Sequence, residues 1–221
     1  MNLAAIVPMR HDSERVPGKN YRDFAGLPLY AHIVKSLEQC EGIDQIVIDT
    51  DSPIIRDDAA ERFPAVRVLA RPEWLRDGNI SMNEVLCHSI GQIDAEYFLQ
   101  THSTNPLLNP ATITKAIRTF FASPDNDSLF SVTRLQTRLY DQGGRPLNHD
   151  PSVLQRTQDL PPVYEENSNL YLFSKEAMLK SRNRIGKQPL LFEVGKIEAL
   201  DIDTEADFII AEEFFKKNLS Y

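Results

Sequence analysis

The sequence predicts an α/β fold, with helices on both sides of a mostly parallel sheet. Three observations predict it. Strand-like and helix-like segments alternate along most of the chain, the order that builds strand–helix–strand units. The strand-like runs are continuous rather than alternating, as in Ile46-Val47-Ile48, the pattern of a strand covered on both faces. A length of 221 residues suits one such domain carrying an inserted lobe.

The elements follow in order. Ala4-Ala5-Ile6-Val7 reads as a buried first strand, and Pro, Gly and several charges make residues 8–20 a loop. Leu27 to Gln39 carries Leu29, Ile33, Val34 and Leu37 at helical spacing. Gln45 to Asp49 is the second strand. Ser52 and Pro53 open a helix as N-cap and first-turn proline, and Val66 to Leu69 is a third strand. Ser81 and Glu84 form a capping box for a helix to Ile93. Tyr97 to Gln100 is a strand, Asn109-Pro110 starts a helix to about Phe121, and Leu129 to Thr133 is a strand. From Thr137 to Val163 the residues Gly143, Gly144, Pro146, Pro151, Pro161 and Pro162 interrupt any long helix, which marks an inserted lobe over about 134–163. Asn169 to Phe173 is a strand, followed by a helix capped by Ser174. Leu190 to Val194 and Glu198 to Ile202 read as strands. Thr204 with Asp207 caps a final helix ending in Lys216-Lys217.

Composition limits the function classes. A net charge of −8 argues against broad nucleic-acid binding, so an anionic ligand needs a local positive pocket. No apolar run approaches the roughly 20 residues of a membrane span. The first residues lack a basic stretch before their apolar run, so the expected place is the cytoplasm. Cys40 and Cys87 form no CxxC pair, which leaves neither a disulfide framework nor a zinc site.

Two segments carry chemistry. After the first strand, Arg10, Arg15 and Lys19 lie in one loop, where open α/β sheets collect ligands and where cations suit a polyphosphate. The loop is not a Walker A motif, since Asn20 follows Lys19 in place of Ser or Thr, and no GxGxxG is present. Near the C-terminus, Asp201 and Asp203 stand two apart on an expected strand end. Period-two alternation turns both carboxylates to one face, a hard oxygen site that fits Mg²⁺ on triphosphate oxygens. Acids here also suit the helix N-terminus that follows, which is the role expected of Asp207.

The pattern R-x-x-S-x-R-x-P-G-K-N, from Arg10 to Asn20, resembles the signature loop of sugar nucleotidyltransferases. It is most similar to the cytidylyltransferases that activate acylneuraminate and Kdo-type sugars. The segment Asp201-Ile202-Asp203-Thr204-Glu205-Ala206-Asp207 resembles the D-I-D-T-E-x-D of the acylneuraminate branch. The resemblance implies a Rossmann-like α/β/α sandwich of the nucleotide-sugar transferase type, with the inserted lobe as a dimerisation arm. It implies that Arg10 and Lys19 grip the triphosphate, that Ser13, Arg15 and Asn20 complete the loop, and that Asp201 and Asp203 ligate Mg²⁺. Glu14 departs from the lysine usual in the acylneuraminate branch, whereas Arg15 matches the Kdo branch.

Further segments extend the likeness. Arg71-Pro72 with Asp77 and Ser81 is similar to R-P-x-x-L-x-x-D-x-x-x-S, which implies Ser81 near the nucleoside beside its capping role. Leu99 to Leu107 resembles L-Q-P-T-S-P-L-R, which implies Gln100 and Thr104 at the substrates; Asn105 and Leu108 depart from the family's residues. Arg156 is the candidate for the sugar carboxylate, and Asn167 and Tyr171 match N-G-x-x-Y at the sugar site. The expected reaction joins CTP to an acidic sugar in a homodimer, with Mg²⁺ on Asp201 and Asp203, and with Arg10, Lys19 and Asp203 in catalysis. Two rivals remain: a metal-dependent glycosyltransferase, which needs the aspartates but not the basic loop, and a non-catalytic nucleotide binder.

Overall fold

Leu3–Met9 has no charged side chain and forms β1, a strand buried along its whole length. The structure, a computed structural model, describes residues 2–218. After β1 come a short hairpin, β2 (Asp23–Phe24) and β3 (Leu27–Pro28), and then β4 (Gln45–Thr50), β5 (Arg67–Ala70), β6 (Tyr97–Thr101), β7 (Ser128–Leu135), β8 (Val163–Ser174) and β9 (Pro189–Glu193). The helices are α1 (Leu29–Glu38), α2 (Pro53–Arg62), α3 (Met82–Gly91), α4 (Pro110–Phe121), α5 (Lys175–Ser181) and α6 (Glu205–Asn218). The main sheet runs β5-β4-β1-β6-β8-β7-β9. Every pairing is parallel except those of β8, which runs against both β6 and β7. The expected mostly parallel sandwich is therefore the fold.

Period two sorts β1 between the layers. Leu3, Ala5, Val7 and Met9 pack with Ile33, Val34 and Leu37 of α1 and Ile113 and Ile117 of α4. Ala4 and Ile6 pack on the other face with Leu86 and Ile90 of α3 and Met178 of α5. Both faces are thus apolar, which is why the strand reads as a continuous run. A third cluster joins Val16, Phe24 and Leu29 to Ile202, Phe208 and Ala211, so α6 braces the loop that follows β1.

The expected caps form. The side chains of Ser52, Ser81, Asn109 and Ser174 accept from backbone N–H groups in the first turns of α2, α3, α4 and α5. Thr204 and Asp207 cap α6 reciprocally: Asp207 N–H donates to Thr204 Oγ1 at 3.3 Å, and Thr204 N–H to Asp207 Oδ2 at 2.8 Å. The helix foreseen from Leu27 begins only at Leu29, because Ala25 (φ 50°) and Gly26 (φ 89°) make a tight turn that pairs β2 with β3.

Two expectations need correction. Glu198 to Ile202 is not a strand, although it follows β9 at the sheet edge. Side chains and a loop satisfy its backbone instead: Asn169 Nδ2 donates to Glu198 O (2.8 Å), Lys19 Nζ donates to Ile202 O, and Ile202 N–H donates to Thr104 O (3.0 Å). The strand foreseen from Asn169 starts earlier, at Val163, and its pairing with β7 shifts register between Phe130 and Val132. At that irregularity Ser168 has φ 59°, a left-handed backbone rare for a residue with a Cβ. Between β7 and β8, residues 136–162 hold only a Tyr140–Pro146 bridge and a turn of 3₁₀ helix at Thr157–Asp159.

Candidate active site

Strands β1, β4 and β6 end side by side, and antiparallel β8 starts at the same edge, with Leu170 opposite Thr101. The loops leaving this edge surround a cavity of about 1000 Å³. Its walls come from residues 8–20, from Asp51, from Arg71 and the 76–79 segment, from 102–104, and from Ser168, Asp201 and Asp203.

The basic loop is held in shape by its own polar groups. Gly18 has φ 64°, and a Cβ there would lie 2.8 Å from the Tyr21 ring, so only glycine makes this turn without a shift. The turn sends Lys19 inward. Asn20 Nδ2 donates to Arg10 O at 2.7 Å and Asn20 Oδ1 accepts from Ser103 at 2.8 Å, which pins the loop to the exit of β6. His11 N–H donates to Asp51 Oδ1 at 2.8 Å, so Asp51 shapes the wall from β4. Arg10 reaches Gly78 O at 3.3 Å, and Ser13 Oγ accepts from Val16 N–H at 3.4 Å.

The loop meets the aspartates directly. Arg15 Nη2 lies 2.6 Å from Asp203 Oδ1, and the buried Lys19 Nζ lies 3.9 Å from it while donating to Ile202 O. Burial lowers the Lys19 pKa, opposed by the charges of Asp201 and Asp203. Burial also raises the Asp201 pKa, opposed by a hydrogen bond from Thr104 and reinforced by Asp203. Asp201 Oδ1 is buried without a hydrogen-bond partner. The two carboxylates line the same cavity, as the alternation argument expected, but they do so from a loop anchored by Lys19 and Thr104, with Ile202 buried between them.

A metal fits this donor set. A desolvated carboxylate with an unpartnered oxygen, next to a second carboxylate, suits a hard divalent cation. Among the described residues no group of three or more acids, histidines or cysteines is placed to hold a metal. The protein would therefore supply Asp201 and Asp203 and leave the remaining positions to phosphate oxygens and water.

A second cavity of about 530 Å³ lies beyond the aspartates, lined by Thr133, Glu165, Glu166, Asn167 and Lys196 among others. Ser168, Asp201 and Asp203 are the residues that line both cavities.

The expected site residues separate into groups. Arg10, Ser13, Arg15, Lys19, Asn20, Thr104, Asp201 and Asp203 line the larger cavity, and Asn167 lines the second. Gln100 and Tyr171 line neither, and both are fully buried. Gln100 sits between Arg184 Nη1 (2.7 Å) and His102 Nε2 (3.0 Å), because β6 turns it away from the cavity. Tyr171 is stacked under the Arg184 guanidinium, 3.6 Å from its ring centroid, and donates to Glu166. The Ser81 hydroxyl caps α3 at Glu84 N–H and is not on the wall. Arg156 is exposed in the 136–162 segment and pairs with Asp159 at 2.7 Å.

Sequence reasoning assigned no role to three groups at the site. Arg71 is fully buried, lines the cavity and donates to Asp49 Oδ1 at 2.6 Å, while Ser89 donates to the other oxygen of Asp49. His102 lines the same cavity and stays neutral, its pKa pushed down to about 3 by burial and by Arg184 and Lys19. Arg184, behind the wall against Gln100 and Tyr171, is the third. A lone Asp and Arg separated by 22 residues, or a His inside a polar loop, carries no signal along the chain.

Relatives match over nearly the whole chain. It is 27% identical over 95% of its length to an N-acylneuraminate cytidylyltransferase of Streptococcus agalactiae, of which the match covers 52%. The chain thus spans about half the length of the curated streptococcal relatives it matches. It is 27% identical to a CMP-N,N'-diacetyllegionaminic acid synthase of Legionella pneumophila, covering 99% of this chain and 98% of that one. It is 26% identical to a pseudaminic acid cytidylyltransferase of Campylobacter jejuni at the same coverage. A CMP:2-keto-3-deoxy-manno-octonic acid synthetase solved with CTP has the same fold, with a TM-score of 0.70 over 99% of this chain and all of that one, at 14% identity. The family described as Cytidylyltransferase matches residues 4–217, and this chain belongs to that family.

Proposed function

We propose that the protein joins CTP to an acidic sugar of the ulosonic or nonulosonic type, releasing pyrophosphate and forming the CMP-sugar. One observation carries this reading: a cation-lined cavity and a second cavity meet at Asp201 and Asp203. The larger cavity would take CTP. Arg10, Arg15 and Lys19 lie where the triphosphate enters, and Arg71 and Arg76 line the same wall. Arg76 adds a cation to the wall that Glu14 shares, Glu14 standing where the acylneuraminate branch has lysine. The second cavity would take the sugar, with Asn167 on its wall. The names of the legionaminic and pseudaminic relatives support an acidic nonulosonic sugar.

The residues present fit Mg²⁺, held by Asp201 and Asp203. When bound, it would withdraw charge from the phosphate oxygens. The sugar's anomeric hydroxyl attacks the α-phosphorus in line, and Arg10 and Lys19 stabilise the charge that grows on the leaving pyrophosphate. In this reading Arg15 leaves Asp203 for a phosphate when CTP enters. Being an exposed pair, it contributes little stability and exchanges readily.

We also infer a homodimer built on the 134–163 segment, with Arg156 reaching the partner's sugar site. The exposed apolar side chains Tyr140, Leu147, Val153 and Leu154 in that segment support it. The reaction draws on CTP, so we place it in the cytoplasm. Among the described residues no helix is long and apolar enough to cross a membrane.

The test compares Arg10→Ala and Lys19→Ala. A contact that strengthens as charge moves to pyrophosphate is worth roughly 2–4 kcal/mol, or about 30- to 1000-fold in kcat/KM for CTP. CMP binding should change far less, because CMP has no β or γ phosphate. Arg10→Ala is the cleaner variant, since Lys19 also holds Ile202 O. Equal losses for CTP and CMP, or turnover from a nucleotide-sugar donor in place of CTP, would sink the reading.

A further inference from the structure

The reaction proposed above needs a proton acceptor at the attacking hydroxyl, and this inference rests on that reading. Asp203 is poorly suited, since the proposed metal would occupy its carboxylate. The seam between the two cavities offers a different group. Besides the aspartates, Ser168 is the residue that lines both. Its backbone is left-handed at φ 59° despite its Cβ. Such a residue persists only where its surroundings hold it there. Asn167 Oδ1 accepts from Ser131 Oγ at 2.6 Å and from Asn169 N–H at 3.3 Å, and Asn167 Nδ2 donates to Thr133 Oγ1 at 3.0 Å. Asn169 is anchored in turn to Glu198 O at 2.8 Å. Both flanks of Ser168 are thereby clamped, and the residue is held at the seam.

Behind Ser168 runs a directional chain. Tyr171 Oη has one proton and lies within hydrogen-bond reach of both Glu166 and Ser168 Oγ (3.1 Å); with that proton given to Glu166, it can accept one from the Ser168 hydroxyl. That leaves the lone pairs of Ser168 Oγ free to accept from a hydroxyl in the cavity. Glu166 is exposed and can release a proton to solvent. Arg184 lies over the Tyr171 ring, Glu165 flanks Glu166, and Lys196 and the aspartates share its cavity.

We propose that Ser168 is a catalytic residue that receives the proton of the attacking sugar hydroxyl and passes its own through Tyr171 to Glu166. The step balances. The sugar oxygen forms its bond to the α-phosphorus as the bond to the β-phosphate oxygen breaks, and the electron pair leaves on pyrophosphate. One proton moves from the sugar to Ser168, one from Ser168 to Tyr171 and one from Tyr171 to Glu166. Serine and tyrosine end neutral, and Glu166 carries the proton. Burial raises the Tyr171 pKa to about 12, which suits a group that relays without resting as phenolate.

The experiment measures pyrophosphate release, CTP affinity and melting temperature for wild type, Ser168→Ala, Ser168→Gly, Tyr171→Phe and the Ser168→Ala/Tyr171→Phe double variant. General-base loss predicts about a 100-fold fall in kcat for each single variant, with CTP affinity within about twofold. The double variant should be no slower than the slower single, because one chain is broken once. Ser168→Gly relaxes the backbone and is expected to keep or raise the melting temperature while still losing turnover. Turnover of Ser168→Gly or Ser168→Ala within about threefold of wild type would overturn the relay, and so would multiplicative losses in the double variant. If wild type itself releases no pyrophosphate with any acidic sugar, the functional reading falls and the relay with it. If wild type is active and the Ser168 variants are too, only the relay falls.

Discussion

Asp201 and Asp203 sit two residues apart in different surroundings, and their variants should differ accordingly. Asp203 is half-exposed and paired with Arg15, whereas Asp201 is largely buried with one oxygen unpartnered. Asp203→Asn should lower turnover at limiting Mg²⁺ by at least about 100-fold and leave the melting temperature within a few degrees. Asp201→Asn should also abolish turnover, yet melt no lower than wild type without metal, because it removes a desolvated charge beside a like charge. Melting curves with and without Mg²⁺ check this: wild type should gain stability from the ion and neither variant should. A second residue-scale prediction concerns His102. Its folded pKa, about 3, lies below its ordinary 6.5, so the unfolded chain takes up a proton that the folded one refuses. Stability is then intact above pH 6.5 and is lost as pH falls from there toward 3. Buried His32, whose pKa burial also lowers, acts in the same direction. Between pH 7.5 and 5.5 each contributes at most about 1.4 kcal/mol, or about 3–6 °C in Tm. His102→Asn should flatten that slope in a pH series of thermal melts.

At the scale of elements, the N-terminus of α6 couples stability to the site. The Asp207 carboxylate accepts from Thr204 N–H at 2.8 Å and from Asp203 N–H at 3.2 Å, so the cap that starts the helix also orients the backbone of Asp203. Asp207→Ala should cost about 1 kcal/mol of stability, as loss of a cap does, seen as a drop of about 2–4 °C in Tm. It should also slow pyrophosphate release at low Mg²⁺ and recover partly as Mg²⁺ is raised, because Asp203 is disoriented but present. Failure to recover would separate the cap from the metal site. The kink in β8 is the opposite kind of element. It weakens the ladder locally, and in exchange it places Asn167 and Ser168 at the cavities.

At the scale of the whole molecule, the order β5-β4-β1-β6 aligns four loop-bearing strand ends, and antiparallel β8 returns the chain to the same edge. This leaves the 136–162 segment outside the sandwich with its apolar side chains exposed. Sedimentation should find twice the chain mass at micromolar concentration. If the segment delivers Arg156 to a neighbour, Arg156→Ala should raise KM for the acidic sugar and leave KM for CTP unchanged. A monomer with full activity would refute both expectations.

The alternation of strands and helices, the helix caps, the irregular 137–163 stretch and the two charged motifs were all legible along the chain. Each rests on neighbours within about four residues, through periodicity, capping or turn chemistry. The tertiary structure decided what those local patterns leave open. Arg15 meets Asp203 across 188 residues, and Lys19 meets Ile202 across 183, contacts that depend on which strands lie adjacent. The same contacts explain why Glu198 to Ile202 reads as a strand and is not one: side chains from distant parts of the chain satisfy its backbone in place of a sheet neighbour. Gln100 and Tyr171 had the right residue types for a sugar site, but strand register set them behind the wall. Ser168 stands where the N-G-x-x-Y pattern has glycine, which hints at its left-handed backbone, but its place at the seam of two cavities exists only once β8 has been bent against β7. Residue types and their spacing determined the chemistry available to this protein. Long-range packing, which no local pattern encodes, decided which of those groups share a wall.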